Sequence, residues 1–407
     1  MDDDSTCDGK CDGAGSGVYD LPDMLIVGHR GAPWAAVENT LDSFTQAVRE
    51  GANMIETDFC MTKDGVAVIW HDCNPNDTVA LARQAGAEGL PYMPWVPNLF
   101  TRWRRPVEEL TLAELREHYD YQVSKGFTSS VFRNGERVNA HIPTLDELVE
   151  WSHTADGRRM AALFVDVKVG DGQLDLATAM AKEVLRLTNG ERFHVFVSSP
   201  YESVIQTMRA TIEAQDPRDG FHFMWDHEKA GALANSVRGG YDAISMGKTV
   251  LRGWNSFSQE LEQVVADAPA GGISPVLVWT MDEDERLMQM IEAGVDGILT
   301  NRPSDLLRLV DRGWRDHDAA LDAIQACANA NKGNSSNATC IHSLSLKSPL
   351  RKEQVSARAC VVGNSVARDL FGCGGLFDAV EVRFDANLAN GSTIRWDGAA
   401  EKIVIGS

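Results

Sequence analysis

The sequence predicts an α/β chain whose main domain is a (β/α)8 barrel, and three observations support this. Short apolar runs typical of buried strands alternate with stretches that have the apolar period of a helix. Eight such runs occur between residues 24 and 300, enough to close the barrel. The side chains best suited to catalysis follow the carboxyl ends of several runs, where barrels of this class carry their active sites.

The first strand candidate, Met24–Gly28, is an apolar run that leads directly into His29. It has the pattern of a buried strand that ends in a loop. Residues 40–50 then show a helical period of apolar side chains, and Gly51 follows as a stop signal. This first strand–helix unit places His29 at a strand end.

The second strand candidate, Met54–Phe59, carries two acids, Glu56 and Asp58. Alternate residues of a strand point to one face, so both carboxylates face the same side. Two acids on a buried face repel each other, and a bound cation is the usual compensation. The pair is therefore a candidate metal site.

An additional run, Val66–Trp70, follows an Asp-Gly turn signal and predicts a hairpin with the second strand. With a four-residue turn, Met61 would face Val66. Counting back along the hairpin would then place His71 opposite Glu56. We therefore expect the second histidine beside the carboxylate pair.

The remaining strand–helix units are identified by the same patterns. The further strand candidates are Leu163–Lys168, His194–Ser198, Phe221–Trp225, Ala243–Met246, Val276–Thr280 and Gly297–Thr300. The helical stretches are Leu112–His118, Leu174–Leu187, Ser203–Ala214, Gln259–Ala266 and Asp284–Ala293. No barrel strand is found between His71 and Asp166, so a long insertion follows the second barrel strand. Its aromatic residues, with Arg102, Arg104 and Arg105, either cover the barrel rim or contact a substrate.

These motifs, in this order, resemble the glycerophosphodiester phosphodiesterase family, one of the phosphatidylinositol-phospholipase-C-like phosphodiesterases. The resemblance spans roughly residues 24–312. The matching residues are His29-Arg30-Gly31, Glu38-Asn39-Thr40, Glu56-x-Asp58, Thr62-x-Asp64-Gly65, His71-Asp72, Pro143-Thr144-Leu145 with Glu147, Asp166-x-Lys168, Trp279-Thr280 and the run from Gly294 to Pro303. The resemblance implies a (β/α)8 TIM barrel and a phosphoric diester hydrolase.

The residues and the resemblance together suggest a mechanism. His29 and His71 are the expected proton-transfer pair. Glu56, Asp58 and Asp166 would hold a divalent cation, and all-oxygen ligation favours Mg²⁺ or Ca²⁺. The sequence leaves open which histidine is the acid and which is the base. It also leaves open whether water attacks or a neighbouring glycerol hydroxyl attacks to form a cyclic phosphate.

Further residues are candidates for contact with the substrate. Arg30 could hold the phosphate with two hydrogen bonds, and Lys168 could neutralise one phosphate oxygen or pair with Asp166. Trp279, at a strand end, either closes the pocket or is a core residue. Asn39 has a role in the site, which the resemblance favours, or simply caps the following helix.

Asp166 stands where the family usually has glutamate. Its carboxylate is shorter by one methylene, so a cation must sit closer to this strand or be reached through water. The related sphingomyelinase D enzymes of spider venom also have aspartate followed by lysine two residues later, as in Asp166-Val167-Lys168. This departure opens the question of the substrate.

Three functions are therefore considered. The preferred one is metal-dependent hydrolysis of glycerophosphodiesters to glycerol 3-phosphate and an alcohol. The second is phospholipase D-type cleavage of lysophospholipids or sphingomyelin. The third is a non-catalytic module that binds a phosphate ligand or a surface. The presence of both histidines and all three acids argues against this third function.

Composition and charge narrow the class of partner. The chain has 407 residues, of which 43% are hydrophobic, enough to bury a large core. No apolar run reaches the ~18 residues of a transmembrane segment. The net charge of −21 disfavours binding to nucleic acid or to an anionic membrane. We expect a small-molecule phosphodiester or lysophospholipid as the partner.

The two ends of the chain differ from the barrel in composition. Residues 1–20 are rich in Asp, Gly and Ser and predict a flexible leader. The barrel is expected over residues 21–315, with its insertion over about 73–145. A polar linker over 316–339 precedes short alternating runs in 340–407, which predict a small C-terminal β-rich appendage.

Cysteine usage bears on the cellular compartment. Six of the eight cysteines lie outside the barrel: Cys7, Cys11, Cys327, Cys340, Cys360 and Cys373. An even number of cysteines in small or flexible regions favours disulfides, and therefore an extracytoplasmic or secreted protein. No signal peptide is seen, so a cytoplasmic location is the alternative. Cys60 and Cys73 are not opposite each other in the predicted hairpin, so both are expected to be free thiols.

Overall fold

The structure, a computed structural model, describes the barrel region and parts of the C-terminal region. The described residues are 21–22, 24–123, 136–215, 217, 219–248, 252–310, 341–348, 353–360, 393–397 and 402–406. The leader predicted over residues 1–20 and the linker predicted over 316–339 lie outside them. The predicted division into domains therefore stays a prediction.

Strands and helices alternate along the described part of the barrel region. The strands are β1 (Leu25–His29), β2 (Met54–Met61), β3 (Ala67–Ile69), β4 (Tyr92–Trp95), β5 (Asp120–Val123), β6 (Ala162–Val167), β7 (His194–Ser199), β8 (Phe221–His227), β9 (Ala243–Gly247), β10 (Val276–Trp279) and β11 (Gly297–Thr300). The helices are α1 (Leu41–Arg49), α2 (Thr78–Gln84), α3 (Leu112–His118), α4 (Leu145–Ser152), α5 (Leu174–Thr188), α6 (Glu202–Glu213), α7 (Ala232–Gly239), α8 (Trp254–Asp267) and α9 (Asp284–Ala293), and residues 303–310 are also helical. The bounds of the predicted elements agree with these to within two residues, except that α8 begins at Trp254, before the predicted start at Gln259.

A closed ring of eight parallel strands forms the barrel. Its order is β1, β2, β6, β7, β8, β9, β10 and β11, and β1 pairs with both β2 and β11. Helices connect successive strands and pack against their outer faces, where Phe44 of α1, Val184 of α5 and Ile205 of α6 are fully buried. The fold is the predicted (β/α)8 TIM barrel, with the predicted insertion between β2 and β6.

Alternation along the strands divides the inside of the barrel into an apolar floor and a polar mouth. The floor consists of Leu25, Val27, Met54, Ala162, Phe164, Phe196, Met224, Ala243, Leu277 and Leu299. Further along the same inward faces, at the carboxyl ends of the strands, lie His29, Glu56, Asp58, Asp166, Ser198, Asp226, Ser245 and Trp279. The mouth is defined by these eight residues.

The insertion has its own small core beside the mouth. Its strands β4 and β5 pair antiparallel, and α2 and α3 accompany them. The largest buried side chains of this core are Trp70, Tyr92, Leu115, Tyr119 and Tyr121. Because the core includes Val68 of β3, it anchors the insertion to the hairpin that leads to His71.

The hairpin register differs by one residue from the predicted register. Met61 pairs with Ala67 rather than with Val66, so the turn has five residues instead of four. The reason is local: the hydroxyl of Thr62 accepts a hydrogen bond from the backbone of Val66 at 3.0 Å and closes the turn one residue later. On this register, counting back places His71 opposite Thr57 rather than Glu56.

The prediction of free thiols at Cys60 and Cys73 is wrong. The two residues form a disulfide, with their Cα atoms 5.5 Å apart. The prediction continued the hairpin strand past Trp70, but the chain turns there, and the backbone N–H of Cys73 donates to the carbonyl of His71 at 3.0 Å. This turn brings Cys73 back to Cys60 on β2.

Beyond the barrel, the structure describes two antiparallel hairpins. β12 (Ile341–Ser348) pairs with β13 (Glu353–Cys360), and β14 (Thr393–Asp397) pairs with β15 (Lys402–Gly406). All of these strands lie in the segment that the sequence predicts to be β-rich. Within the described parts of the chain, no helix is both long enough and apolar enough to cross a membrane.

Candidate active site

Three carboxylates from two neighbouring strands meet at the mouth. Glu56 and Asp58 lie on β2, and Asp166 lies on β6 in direct register with Asp58. All three are buried, and one oxygen of each lies within 4.8 Å of the others. The side-chain alternation of β2 and its parallel pairing with β6 therefore bring together the three predicted metal ligands. This set is called the acid cluster below.

The charges around the acid cluster shift its pKa values in different directions. Burial, together with the charges of Asp58 and Asp166, raises the pKa of Glu56 well above its usual value. Burial also raises the pKa of Asp166, although Lys168 opposes this. Burial alone would raise the pKa of Asp58. At the low pH where Asp58 titrates, His71 is protonated, and together with Lys168 and Arg30 it holds the pKa of Asp58 well below its usual range. A bound cation would relieve the repulsion among these acids.

The acid cluster fits a divalent cation. The Oδ1 atom of Asp166 is buried and has no hydrogen-bond partner among the described residues. A buried polar atom without a partner is costly, so a ligand is expected there. The donors are all carboxylate oxygens, which is the set that Mg²⁺ and Ca²⁺ prefer. The cluster could therefore hold a metal ion.

Lys168 lies against two members of the acid cluster. Its Nζ atom is 2.5 Å from Oδ2 of Asp166 and 3.2 Å from Oδ1 of Asp58. Burial alone would lower the pKa of Lys168, but these two carboxylates raise it, so the ammonium group stays charged. The observed ion pair with Asp166 is one of the two predicted roles, and it leaves the positive charge at the mouth.

His29, at the end of β1, pairs in register with Glu56. Its Nδ1 atom lies 2.8 Å from Oδ1 of Asn301. The amide nitrogen of Asn301 donates to Asp282 at 2.6 Å, so Oδ1 is the acceptor and the proton lies on Nδ1 of His29. The basic atom is then Nε2, which lies 4.0 Å from Oε2 of Glu56. Burial and the charge of Arg30 lower the pKa of His29 to about 4.

His71, which follows β3, is held by its neighbour Asp72. Its Nδ1 atom lies 2.6 Å from Oδ1 of Asp72, so Nδ1 carries the proton and Nε2 is unprotonated, with no hydrogen-bond partner among the described residues. Burial, Arg30 and Arg83 lower the pKa of His71 to about 4. Burial alone would raise the pKa of Asp72, but Arg83, which donates to it at 2.8 Å, lowers it to about 2. The two predicted catalytic histidines thus have the same tautomer.

Arg30 lies among carboxylates at the edge of the mouth. Its backbone N–H donates to Oε2 of Glu56 at 2.8 Å. Its Nη1 donates to Glu38 at 2.9 Å and to Glu88 at 2.8 Å, and its Nε lies 3.1 Å from Asp58. These contacts hold the acid cluster in place. The predicted contact of Arg30 with phosphate stays a prediction.

Asn39 orients one member of the acid cluster. Its amide nitrogen donates to Oδ2 of Asp58 at 2.8 Å, and its amide oxygen accepts from the hydroxyl of Thr57 at 2.7 Å. Helix α1 is capped instead by Thr40, whose hydroxyl accepts from the backbone of Ser43 at 3.2 Å. The alternative that Asn39 caps this helix is therefore wrong.

The insertion contributes a buried arginine and a more exposed glutamate that the sequence reasoning missed. Arg83 of α2 forms ion pairs with Glu38 and, at 2.9 Å, with Glu88. The hydroxyl of Tyr121 also donates to Glu38, at 3.3 Å. No barrel strand or motif marks Arg83 or Glu88 in the sequence. Asn301 was also missed as a partner of His29, although it lies in the matched motif and could have been found.

A second group of polar side chains lies along the wall of the mouth, on the strands from β7 to β10 that follow β6 in the ring. Asp226 of β8 accepts a hydrogen bond from Nε1 of Trp279 at 2.8 Å and another from the hydroxyl of Ser245. Burial and the charge of Asp166 raise the pKa of Asp226 to about 7. The hydroxyl of Ser198 on β7 is buried and has no partner in the described part of the chain. Of these four mouth residues outside the acid cluster, only Trp279 was a predicted site residue.

The arginines of the insertion hold the rim of the barrel. Arg104 is buried and donates to the carbonyl of Pro97 at 2.9 Å. Arg105 donates to the carbonyl of Arg102 at 2.7 Å, and the guanidinium of Arg102 lies 4.3 Å from the ring centre of Trp103. These contacts agree with the rim-covering alternative.

Comparison with known proteins identifies a family. The model of the glycerophosphoryl diester phosphodiesterase family matches residues 29–305. A glycerophosphodiester phosphodiesterase of Caldanaerobacter subterraneus subsp. tengcongensis is 27% identical over 291 residues, which are 71% of this chain and 98% of that protein. The matched range contains every predicted site residue, from His29 to Trp279.

Two solved structures share the fold. A protein of Silicibacter pomeroyi DSS-3, assigned to the glycerophosphoryl diester phosphodiesterases, has a TM-score of 0.54 and 23% identity, covering 73% of this chain and 96% of that chain. An Oleispira antarctica phosphodiesterase, in complex with the product sn-glycerol-3-phosphate, has a TM-score of 0.51 and 19% identity. The match covers 72% of this chain and 97% of that chain. At these identities the likeness is evidence for the barrel fold alone.

Proposed function

Because the chain belongs to the glycerophosphoryl diester phosphodiesterase family and is a phosphoric diester hydrolase, we propose that it hydrolyses glycerophosphodiesters to glycerol 3-phosphate and an alcohol. One observation carries the proposal: two imidazoles with free Nε2 atoms, of His29 and His71, adjoin a buried cluster of three carboxylates. The relative of Caldanaerobacter subterraneus subsp. tengcongensis, a glycerophosphodiester phosphodiesterase, supports the choice of substrate class. The alternative of a non-catalytic module is not retained.

We assign Glu56, Asp58 and Asp166 as the ligands of the divalent cation, Mg²⁺ or Ca²⁺. When bound, the cation would polarise the phosphoryl group and neutralise charge on its oxygens. Oδ2 of Asp166 is already paired with Lys168, at 2.5 Å, so Asp166 has Oδ1 left to offer. This supports a single ligand oxygen from the shorter side chain.

The partners of the two histidines favour His29 as the base and His71 as the acid. Water, or a neighbouring glycerol hydroxyl that would give a cyclic phosphate, attacks phosphorus and transfers its proton to Nε2 of His29. The bond from phosphorus to the leaving alcohol breaks, and protonated Nε2 of His71 gives a proton to that oxygen. An acid must be protonated before it acts, and the carboxylate of Asp72 stabilises protonated His71. The neutral amide of Asn301 stabilises protonated His29 less, which suits a base.

The other site residues act on the substrate or on the acid cluster. The phosphodiester brings negative charge beside His71, which raises the pKa of this imidazole from its low value in the free protein. Lys168 neutralises a phosphate oxygen, and Arg30 is proposed to hold the phosphate as well as the acids. Asn39 supports the site through Asp58, and Trp279 lines the mouth.

The first test is metal dependence. Purified protein is assayed with glycerophosphocholine before and after treatment with EDTA, and again with Mg²⁺ or Ca²⁺ added back. We expect turnover to disappear on chelation and to return with at least one of the two ions. Turnover that survives complete metal removal would contradict the cation site.

The second test is replacement of the two histidines. His29→Ala and His71→Ala should each lower kcat by about 10²-fold or more while the far-ultraviolet circular dichroism stays unchanged. The matched control is His153→Ala, because His153 is 60% exposed and pairs with Glu191 outside the site. Full activity in both site variants would remove the mechanism.

Phospholipase D-type cleavage of lysophospholipids or sphingomyelin is the second candidate. It is favoured by the ion pair between Asp166 and Lys168, at 2.5 Å, in the position where the family usually has glutamate. Comparison of kcat/KM for glycerophosphocholine and lysophosphatidylcholine separates the two activities. A strong preference for lysophosphatidylcholine would replace the first proposal.

We also propose that the protein works outside the cytoplasm or is secreted. The disulfide between Cys60 and Cys73 supports this, since disulfides persist mainly in oxidising compartments. The check is a count of reactive thiols in the native protein, which has eight cysteines. A count above six would mean that even the disulfide between Cys60 and Cys73 is absent, and it would favour the cytoplasmic alternative.

A further inference from the structure

We propose that the polar group on strands β7 to β10, beside the acid cluster, binds the free hydroxyls of the glycerol moiety. We call it the diol subsite, and it consists of Ser198, Asp226, Ser245 and Trp279. The inference rests on the proposed function. It adds the part of the substrate that the mouth recognises, which is the glycerol group.

Strand pairing places the diol subsite within reach of a phosphate at the acid cluster. Ser198 on β7 is in register with Asp166 on β6, and Asp226 on β8 is in register with Ser245 on β9. Neighbouring strands lie about 4.8 Å apart, so Ser198 is one strand away from the acid cluster and Asp226 is two. A glycerol chain attached to the phosphate can bridge these separations across the inside of the barrel.

The diol subsite has hydrogen-bonding capacity that the described residues do not use. The hydroxyl of Ser198 is fully buried, yet no described residue accepts from it or donates to it. Oδ1 of Asp226 accepts two hydrogen bonds, whereas its Oδ2 has no partner in the described part of the chain. One unpaired hydroxyl and one unpaired carboxylate oxygen on the same wall can pair with two substrate hydroxyls.

The indole of Trp279 is fixed in place and forms the apolar side of the diol subsite. Its Nε1 donates to Asp226 at 2.8 Å. Its ring lies against Gly247 on β9, where any Cβ atom would overlap the ring. The side chain is only partly buried, so some of its surface is accessible. A fixed aromatic surface beside hydrogen-bonding groups suits a polyol, which has C–H and O–H groups side by side.

The chemistry of the diol subsite selects against acyl chains. An acyl chain or ceramide placed here would cover Ser198 and Asp226 without satisfying them. Burial of unpaired polar groups is costly, and sites built to pair with a hydroxyl reject analogues that lack it. The inference therefore favours a glycerol group with both hydroxyls free, the feature that separates the first proposed substrate from the second.

The test compares two diesters in two variants. Asp226→Asn keeps an acceptor oxygen for Trp279 and Ser245 but removes the carboxylate, and Ser198→Ala removes only the unpaired hydroxyl. The substrates are glycerophosphocholine, which has both glycerol hydroxyls, and bis(p-nitrophenyl) phosphate, which has no hydroxyl. For each variant we expect kcat/KM for glycerophosphocholine to fall about 10-fold, mainly through KM, and kcat/KM for the aryl diester to change less than about 2-fold.

The matched control is Ser199→Ala. Ser199 follows Ser198 on β7, is equally buried and points to the other face of the strand, where its hydroxyl accepts from the backbone of Tyr201 at 3.3 Å. This variant should keep wild-type values with both substrates. Equal losses for the two diesters in Asp226→Asn and Ser198→Ala would overturn the diol subsite. Wild-type protein that cleaves the aryl diester but not glycerophosphocholine would overturn the proposed function itself, and the subsite with it.

Discussion

The two imidazoles of the candidate active site are each fixed by one hydrogen bond at Nδ1, but their partners differ in charge. His29 faces the amide of Asn301, and His71 faces the carboxylate of Asp72. Both imidazoles are neutral near pH 7, since burial and nearby arginines lower each pKa to about 4. An arriving anion raises the proton affinity of both, and only His71 already has a carboxylate to stabilise the proton.

We predict that His71 makes the metal-free protein less stable as the pH falls. Its pKa in the folded protein is lowered from 6.5 to about 4, so the unfolded chain takes up the proton first. The free energy of unfolding therefore declines as the pH falls through about 6.5 and stops changing below about 4, a loss of about 3 kcal/mol from this residue. In urea denaturation with EDTA, His71→Gln should gain this amount relative to the wild type between pH 7 and pH 4. Parallel curves for the two proteins would contradict the low pKa.

At the scale of the elements, the insertion supports the catalytic hairpin through one buried arginine. Arg83 on α2 is 3% exposed and lies against three acids, Glu38, Asp72 and Glu88. All three acids contact site residues in turn, since Asp72 holds His71, and Glu38 and Glu88 both hold Arg30. The insertion is therefore part of the active-site scaffold as well as a rim.

We predict that Arg83→Met lowers the free energy of unfolding by about 3–5 kcal/mol, because it leaves buried carboxylates without their partner. Chemical denaturation measures the change. The control is Arg186→Met, which removes an exposed ion pair with Glu183 on α5 and should cost less than about 1 kcal/mol. Similar losses in the two variants would show that the buried network adds nothing beyond a surface pair.

The disulfide between Cys60 and Cys73 closes the segment that contains β3 and His71. The two cysteines are 13 residues apart. We predict that the double variant Cys60→Ala with Cys73→Ala loses about 2–4 kcal/mol of unfolding free energy, because the unfolded chain is no longer constrained. We also expect a lower kcat, since Cys73 fixes the turn that follows His71. Unchanged stability in the double variant, measured under non-reducing conditions, would contradict this role.

Side-chain alternation explains which parts of the site could be predicted from the sequence. Glu56, Asp58 and Asp166 followed from strand parity and motif order, because parity alone decides the face of a strand. The hairpin register was missed by one residue, because an Asp-Gly pair predicts a turn without specifying its length. The disulfide was missed for a different reason, because the prediction continued the hairpin strand past Trp70, where the chain turns. Partners that meet across several strands, such as Asp226 and Trp279, depend on barrel closure and have no local signal.

At the scale of the whole molecule, the charge of the chain opposes the charge of its proposed substrate. The formal net charge is −21, whereas a phosphodiester is an anion. The positive charges nearest to the acid cluster are those of Lys168 and Arg30, to which the proposed cation would be added. Attraction is therefore local to the mouth, and repulsion acts at longer range, where salt screens it.

This balance predicts how the rate depends on salt. For glycerophosphoglycerol, which has a net negative charge, kcat/KM should rise several-fold as the ionic strength increases from about 0.01 M to 0.3 M, because the Debye length shrinks from about 30 Å to below 10 Å. For glycerophosphocholine, whose choline group cancels the phosphate charge, kcat/KM should stay nearly constant and serves as the control. The measurement is the initial rate at low substrate concentration, with the Mg²⁺ or Ca²⁺ concentration held fixed. A decline of kcat/KM with salt for the anionic substrate alone would mean that the positive charge of the mouth extends beyond the barrel rim and outweighs the charge of the chain.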